Sequence, residues 1–192
     1  VIAEVIGTYF VVFAGCGSVA VNKIYGSVTF PGICVTWGLI VMVMFYTVGH
    51  ISGAHFNPAV TITLAIFRRF SYKQVPLYIF AQLLGSILAS GTLALMLDVT
   101  PKSFFGTIPV GSNVQSLAAE ITITFLLMPV SGASMNPARS IGPSLIIHVY
   151  KGLWIYIVGP IIGAIAGALA YNFLRSTTHN SPSEEIKGPS SG

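Results

Sequence analysis

Charge is what this sequence has least of: Asp, Glu, Lys and Arg make up 7% of its 192 residues, against roughly a quarter in a soluble globular domain. With 54% hydrophobic residues and a mean hydropathy of +0.82, that scarcity excludes a water-soluble fold and describes an integral membrane protein. Five acidic residues stand against nine basic ones, for a formal net charge of +4. The basic residues fall at loops and ends, where they orient spans in a bilayer, and they do not form the stripe that a nucleic-acid surface needs. Cysteine is scarce too. Cys16 and Cys34 permit one disulfide by count, but both lie inside apolar runs, which favours buried free thiols. No Ser/His/Asp set or cysteine pair is placed for catalysis, and no metal or cofactor site is indicated.

What the chain has is a series of apolar runs. Val1 to Val21 supplies about the ~20 residues that a crossing helix needs, with Glu4 near its start and small residues at Gly7, Ala14, Gly15 and Gly17. Asn22 to Phe30 reads as a polar loop, and a second span runs from Ile33 to Val48 with Trp37 inside it. Pro76 to Leu97 makes a third, whose Gln82, Gly85, Ser86, Ala89 and Gly91 form a face suited to close helix contact. After a loop rich in Pro and Gly, Asp98 to Asn113, a fourth run begins near Ser116, carries Glu120 and stops at Met128, too short to cross. Leu153 to Leu174 is the last full span, and a polar tail follows, ending in low-complexity sequence from Gly188. Since Val1 leads straight into a span, a further segment is expected upstream. Arg68, Arg69 and Lys73 are the densest basic cluster, which places their loop in the cytoplasm.

One phrase occurs twice: Ser52-Gly53-Ala54-His55-Phe56-Asn57-Pro58-Ala59-Val60 and Ser131-Gly132-Ala133-Ser134-Met135-Asn136-Pro137-Ala138-Arg139. Each copy is a helix start, because Asn is a good N-cap and Pro is tolerated at the first helical position. The segments that follow, Pro58 to Phe67 and Pro137 to Val149, are too short to cross. The first, at about 15 Å, reaches half of a ~30 Å hydrocarbon core. Irregular backbone at membrane depth must be buried in protein or line a watery cavity, so the phrase reads as pore chemistry.

The two halves superpose beyond the phrase. Ala3-Glu4 matches Ala119-Glu120 at an offset of 116, whereas Asn57 matches Asn136 at 79 and Gly85-Ser86 matches Gly163-Ala164 at 78. Ahead of the phrase the offset falls by 37 residues, from 116 to 79, the size of a span and a loop. One helix is therefore missing from the second half, with the junction near Met128-Pro129. That loss is expected to disturb the inverted-repeat topology, either by turning the last helix the wrong way or by merging the fourth run and the second phrase into one irregular crossing.

At this point the residues carry a resemblance. The stretches from His50 to Thr61 and from Ser131 to Ser140 resemble the two signature loops of the aquaporin or major intrinsic protein family. Within it, Ala14-Gly15-Cys16-Gly17, Trp37-Gly38-Leu39, Arg68-Arg69-Phe70 and Gly152-Leu153-Trp154-Ile155-Tyr156 are similar to the plant nodulin-like, aquaglyceroporin-type branch. The resemblance implies an all-α membrane protein with the inverted-repeat aquaporin fold and two half-helices, here incomplete in the second repeat through loss of the fifth span and part of the fourth. It implies one channel domain over 1–175, with a first repeat 1–97, a linking loop 98–115, a second repeat 116–175 and a polar tail 176–192. It further implies a homotetramer in a plasma or internal membrane of a plant cell.

The same resemblance assigns Asn57 and Asn136 to the central constriction, and Trp37, Ala133 and Arg139 to an outer selectivity filter whose fourth position lies on the missing span. The backbone of Gly53, Ala54, His55, Gly132, Ala133 and Ser134 would line the pore. Two half-helix N-termini, each with roughly half a positive charge, would meet there and repel cations. General statements about aquaporin selectivity already invoke such half-helix dipoles. The implied function is passive passage of small uncharged solutes such as glycerol, water, ammonia or neutral metalloid acids, with protons and ions excluded. Glu4 and Glu120 are better read as acceptors for loop backbone than as a proton relay, and His50 as a packing residue than as a pH sensor or metal ligand. Two alternatives remain. The 37-residue deficit favours a non-conducting or regulatory form. A secondary transporter would use broken helices at the midplane, but Glu4 and Glu120 are the only carboxylates in spans available to couple an ion.

Overall fold

The computed structural model describes residues 1–100, 103–126 and 134–179. The junction at Met128-Pro129, the loop residues Gly132 and Ala133, and the chain beyond 179 lie outside the described residues. Seven α-helices dominate what is described: α1 Ile2–Tyr25, α2 Thr29–Ser52, α3 Pro58–Ile66, α4 Val75–Met96, α5 Asn113–Leu126, α6 Pro137–Ile147 and α7 Ile155–His179. Four segments are long and apolar enough to cross a membrane, Ile2–Tyr25, Thr29–Ser52, Tyr72–Met96 and Ile155–Arg175. The all-α architecture with two half-helices is therefore present.

Boundaries differ from the sequence reading for local reasons. The loop expected at 22–30 shrinks to Gly26–Val28. Gly26 caps α1 in the left-handed region at φ 69, Thr29 N donates to Asn22 Oδ1 at 2.8 Å, and Pro31 sits in the first turn of α2, where its missing N–H is not needed. α2 continues past Val48 to Ser52, and Gly53 closes it at φ 84. α5 starts at Asn113 instead of Ser116 because Ser112 and Gln115 form a capping box: Gln115 N donates to Ser112 Oγ at 3.2 Å and Ser112 N to Gln115 Oε1 at 3.1 Å. α6 stops at Ile147 with His148 left-handed, and α7 runs to His179, beyond the expected start of the tail.

The halves pack by one rule applied twice. α1 lies against α4 as α5 lies against α7, and α6 against α4 as α3 against α7. The contacts match atom for atom under the repeat offsets. A Cβ on Gly85 would strike Val5 O and approach Tyr9 N and Thr8; on Gly163 it would strike Ile121 O, Thr124 and Phe125 N. Glycine lets each pair of helices meet backbone to backbone.

A last helix turned the wrong way is not what the described residues show, while a merger of the fourth run with the second phrase falls on 127–133, outside the described residues. Lys23, at the end of α1, donates to Phe104 O at 2.6 Å, and Gly152, between α6 and α7, abuts Pro109. The loop residues 103–112 and the α6–α7 connection thus share one face. Near the far end of α7, Asn172 accepts from Arg69 Nη2 at 3.1 Å, on the basic face. α7 therefore crosses in the direction that an intact inverted repeat would give it. The reason lies in α5, which with 14 residues spans about 21 Å of a ~30 Å core and ends inside the membrane. Ser134 takes up the chain there, its N–H on Glu120 Oε2 at 3.2 Å. The described chain thus resumes beside the helix it left, and α6 and α7 keep their direction.

Candidate functional site

The two phrases meet head to head. Asn57 caps α3 by accepting from Ala59 N at 2.9 Å, and Asn136 caps α6 by accepting from Ala138 N at 3.0 Å and Arg139 N at 3.4 Å. With each Oδ1 used as a cap, each Nδ2 crosses to the other repeat. Asn57 donates to Met135 O at 2.7 Å and Asn136 to Phe56 O at 2.8 Å. An amide nitrogen carries two hydrogens, so each Asn keeps one N–H beyond this junction, and both side chains line the cavity described below.

The loops that deliver these caps are contorted. Ala54 (φ 52), Phe56 (φ 49) and Met135 (φ 49) are left-handed without being glycine, a conformation that costs about 1–3 kcal/mol and persists only where surroundings over-determine it. Buried carboxylates do so. Glu4 accepts from His55 N at 3.0 Å and Ser52 Oγ at 2.7 Å on Oε1, and from Phe56 N and Gln82 Nε2, both at 2.8 Å, on Oε2. Glu120 accepts from the equivalent Ser134 N and Met135 N. Both carboxylates stand behind the loops and do not line the cavity. His55 is held from the side, its Nδ1 3.0 Å from Thr61 Oγ1 and its ring edge-on to Phe70.

A cavity of about 690 Å³ borders this junction. Gly53, Ala54, His55, Asn57, Ser134, Asn136, Trp37 and Arg139 all border it; Gly132 and Ala133 cannot be placed, being outside the described residues. Arg139 is buried, with its guanidinium carbon 4.6 Å from the Trp37 ring centroid, a cation–π contact. The sequence reading did not foresee one wall, formed by Gly38, Val41, Met42 and Phe45 of α2 with Val60 and Leu64 of α3. Their helical spacing was visible, but apolar residues facing a cavity and facing lipid look alike in sequence. Gln82 and Thr61 were also missed as network members; Gln82 Nε2 lies on both Glu4 and Thr61 Oγ1, the latter at 2.9 Å.

The family profile described as Major intrinsic protein matches residues 1–131 and 126–171, so its two matched pieces meet where the deficit was placed. A probable aquaporin, NIP-type, from Nicotiana alata is 68% identical over 209 aligned residues, covering 92% of this chain and 77% of its own length. Nodulin-26 from Glycine max is 49% identical over 210, covering 92% and 78%. Both alignments are longer than the 192-residue chain, so each relative holds residues that this chain lacks between matched ends. The X-ray structure of the aquaglyceroporin from Plasmodium falciparum superposes with a TM-score of 0.81 at 22% identity, over 92% of this chain and 96% of that one. This last likeness speaks for the fold alone.

Proposed function

The chain belongs to the major intrinsic protein family, and on that premise we propose that small polyols of glycerol's kind pass through the cavity between Asn57 and Asn136, along with water, ammonia and neutral metalloid acids. As a member of the family it is a passive membrane channel for small uncharged solutes, not an enzyme. The observation that carries the finer reading is the reciprocal junction beneath a Trp37–Arg139 pair. The positive ends of α3 and α6 converge on one point, which opposes cations. The spare N–H of each Asn holds a solute oxygen, and a water held by two donors turns its own hydrogens away, which breaks a proton wire. Arg139 offers donors to hydroxyls while Trp37 and the apolar α2 wall accept a carbon edge. In this reading Glu4 and Glu120 support the loops, the backbone of Gly53, Ala54, His55, Gly132, Ala133 and Ser134 supplies acceptors, and Ala133 completes the filter. The chain assembles as a homotetramer in a plasma or internal membrane of a plant cell, an assembly that native mass spectrometry in detergent reads directly.

Stopped-flow swelling of proteoliposomes in glycerol and water gradients tests conduction: permeability well above empty liposomes is expected. Permeability equal to empty liposomes supports the second reading, a non-conducting or regulatory form, which the stretch present in the relatives and absent here favours. Restoring that stretch between residues 126 and 134 then recovers transport.

A further inference from the structure

Behind the proposed filter, α1 presents a glycine to the Trp37 indole. A Cβ on Gly15 would lie 2.5 Å from each of Cδ2, Cε2 and Cε3. Three ring atoms at one distance mean that the indole lies face-on to the α1 backbone with no space for a methyl group. No hydrogen bond sets the ring's position, since Trp37 Nε1 is buried without a partner among the described residues. Packing against α1 at Gly15 and the cation–π contact with the Arg139 guanidinium hold it. Nor can α1 withdraw. Val12, Cys16 and Ala20 are packed in one buried cluster with Ala89, Leu93 and Phe105, and Gly85 brings the α4 backbone onto Val5 O. The next residue, Cys16, has its thiol beside Arg139, so consecutive residues of α1 back both members of the pair.

We propose that Gly15 is a positioning residue for solute selection: by seating the indole on the α1 backbone it fixes where Trp37 meets Arg139, and so the width left for a solute's carbon edge. This rests on the reading of Trp37 and Arg139 as the filter. Gly15→Ala pushes the indole toward the cavity. Glycerol permeability in proteoliposomes then falls on the order of tenfold while water permeability falls much less, the scale that an overpacked contact adds to a barrier. The smaller ring of Trp37→Phe relieves the clash, so Gly15→Ala on that background leaves the glycerol-to-water ratio of Trp37→Phe unchanged. An independent readout needs no transport. With Trp154→Phe as parent, Trp37 is the sole tryptophan, and Gly15→Ala shifts its emission maximum and its quenching under tryptophan-selective excitation. Unchanged emission together with an unchanged permeability ratio overturns the proposal. If Gly15→Ala does not fold, folding of Gly15→Ala/Trp37→Phe supports it, whereas failure of both variants makes Gly15 a helix-packing residue and overturns it. A parent that transports nothing sinks the channel reading while the emission shift still decides this one.

Discussion

Glu4 and Glu120 hold equivalent places but carry unequal loads. Glu4 accepts four hydrogen bonds, two of them from the side chains of Ser52 and Gln82, whereas Glu120 accepts two backbone N–H groups among the described residues, and Pro160, which offers no donor, stands at the repeat position of Gln82. An amide in place of the carboxylate turns one acceptor oxygen into a donor. At Glu4 that leaves two buried donors facing a third, and each unsatisfied group costs about 1–3 kcal/mol. Glu4→Gln should therefore lower the melting temperature in detergent more than Glu120→Gln, and equal losses would refute the unequal load. The crossed amides give a second expectation. Asn57→Ala and Asn136→Ala each remove an N-cap and strip a partly buried carbonyl of its donor, for about 1–3 kcal/mol apiece. Because both contacts brace one junction, the double variant should lose less than the two single losses combined; strict additivity in melting experiments would show the two contacts to be independent. At this scale the sequence was legible wherever a residue type has one local job. Asn before Pro announces a cap, and the repeat pairs Glu4 with Glu120. It was silent on Gln82 and Thr61, whose roles exist only once α1, α3 and α4 are brought together.

Among the elements, α5 shows what a half-length helix does to its partner. In the first repeat, Leu93 of α4 is covered by α1 and is 3% exposed. Its counterpart on α7, Tyr171, is 55% exposed, since α5 ends before reaching it. Similarly Ala3 is buried beneath Met44 and Val48 of α2, while its counterpart Ala119 is exposed because α2 has no counterpart in the second repeat. A helix held along one stretch can yield where a helix gripped on two sides cannot. Gly85→Ala should consequently destabilise by about 1–3 kcal/mol, the usual range for overpacking, and Gly163→Ala by less, although both added methyl groups meet the same backbone atoms. Thermal unfolding of the two variants compares them, and an equal or larger loss for Gly163→Ala contradicts this account. The start of α5 was legible and overlooked, since Ser112-Asn113-Val114-Gln115 is a capping-box spelling. The burial of Phe105 against Cys16 and Leu93 had no such signal, because a loop rich in Pro and Gly does not reveal which of its aromatics returns to the core.

For the whole molecule the question is which way the second half faces. A deficit of one span in the repeat offsets implies either a reversed α7 or a merger of the fourth run with the second phrase. A count of helices leaves out the depth at which α5 ends. α5 ends inside the bilayer and Ser134 resumes the described chain beside Glu120 of that same helix, and the contacts of Gly152 with Pro109 and of Asn172 with Arg69 hold α7 in the direction that an intact repeat would give it. Depth was not legible from sequence, since α5 and a full span have the same composition and differ only in where an unpatterned break occurs. Accessibility decides the matter. On a Cys34→Ser background, with Cys16 buried, the exposed positions Lys73, Val110 and Lys151 are replaced one at a time by cysteine in sealed, uniformly oriented vesicles. A membrane-impermeant maleimide should label Val110→Cys and Lys151→Cys from one face and Lys73→Cys from the other. Labelling of Lys151→Cys from the Lys73 face would mean that α7 is reversed, and that α6 no longer meets α3 across the membrane from the opposite side.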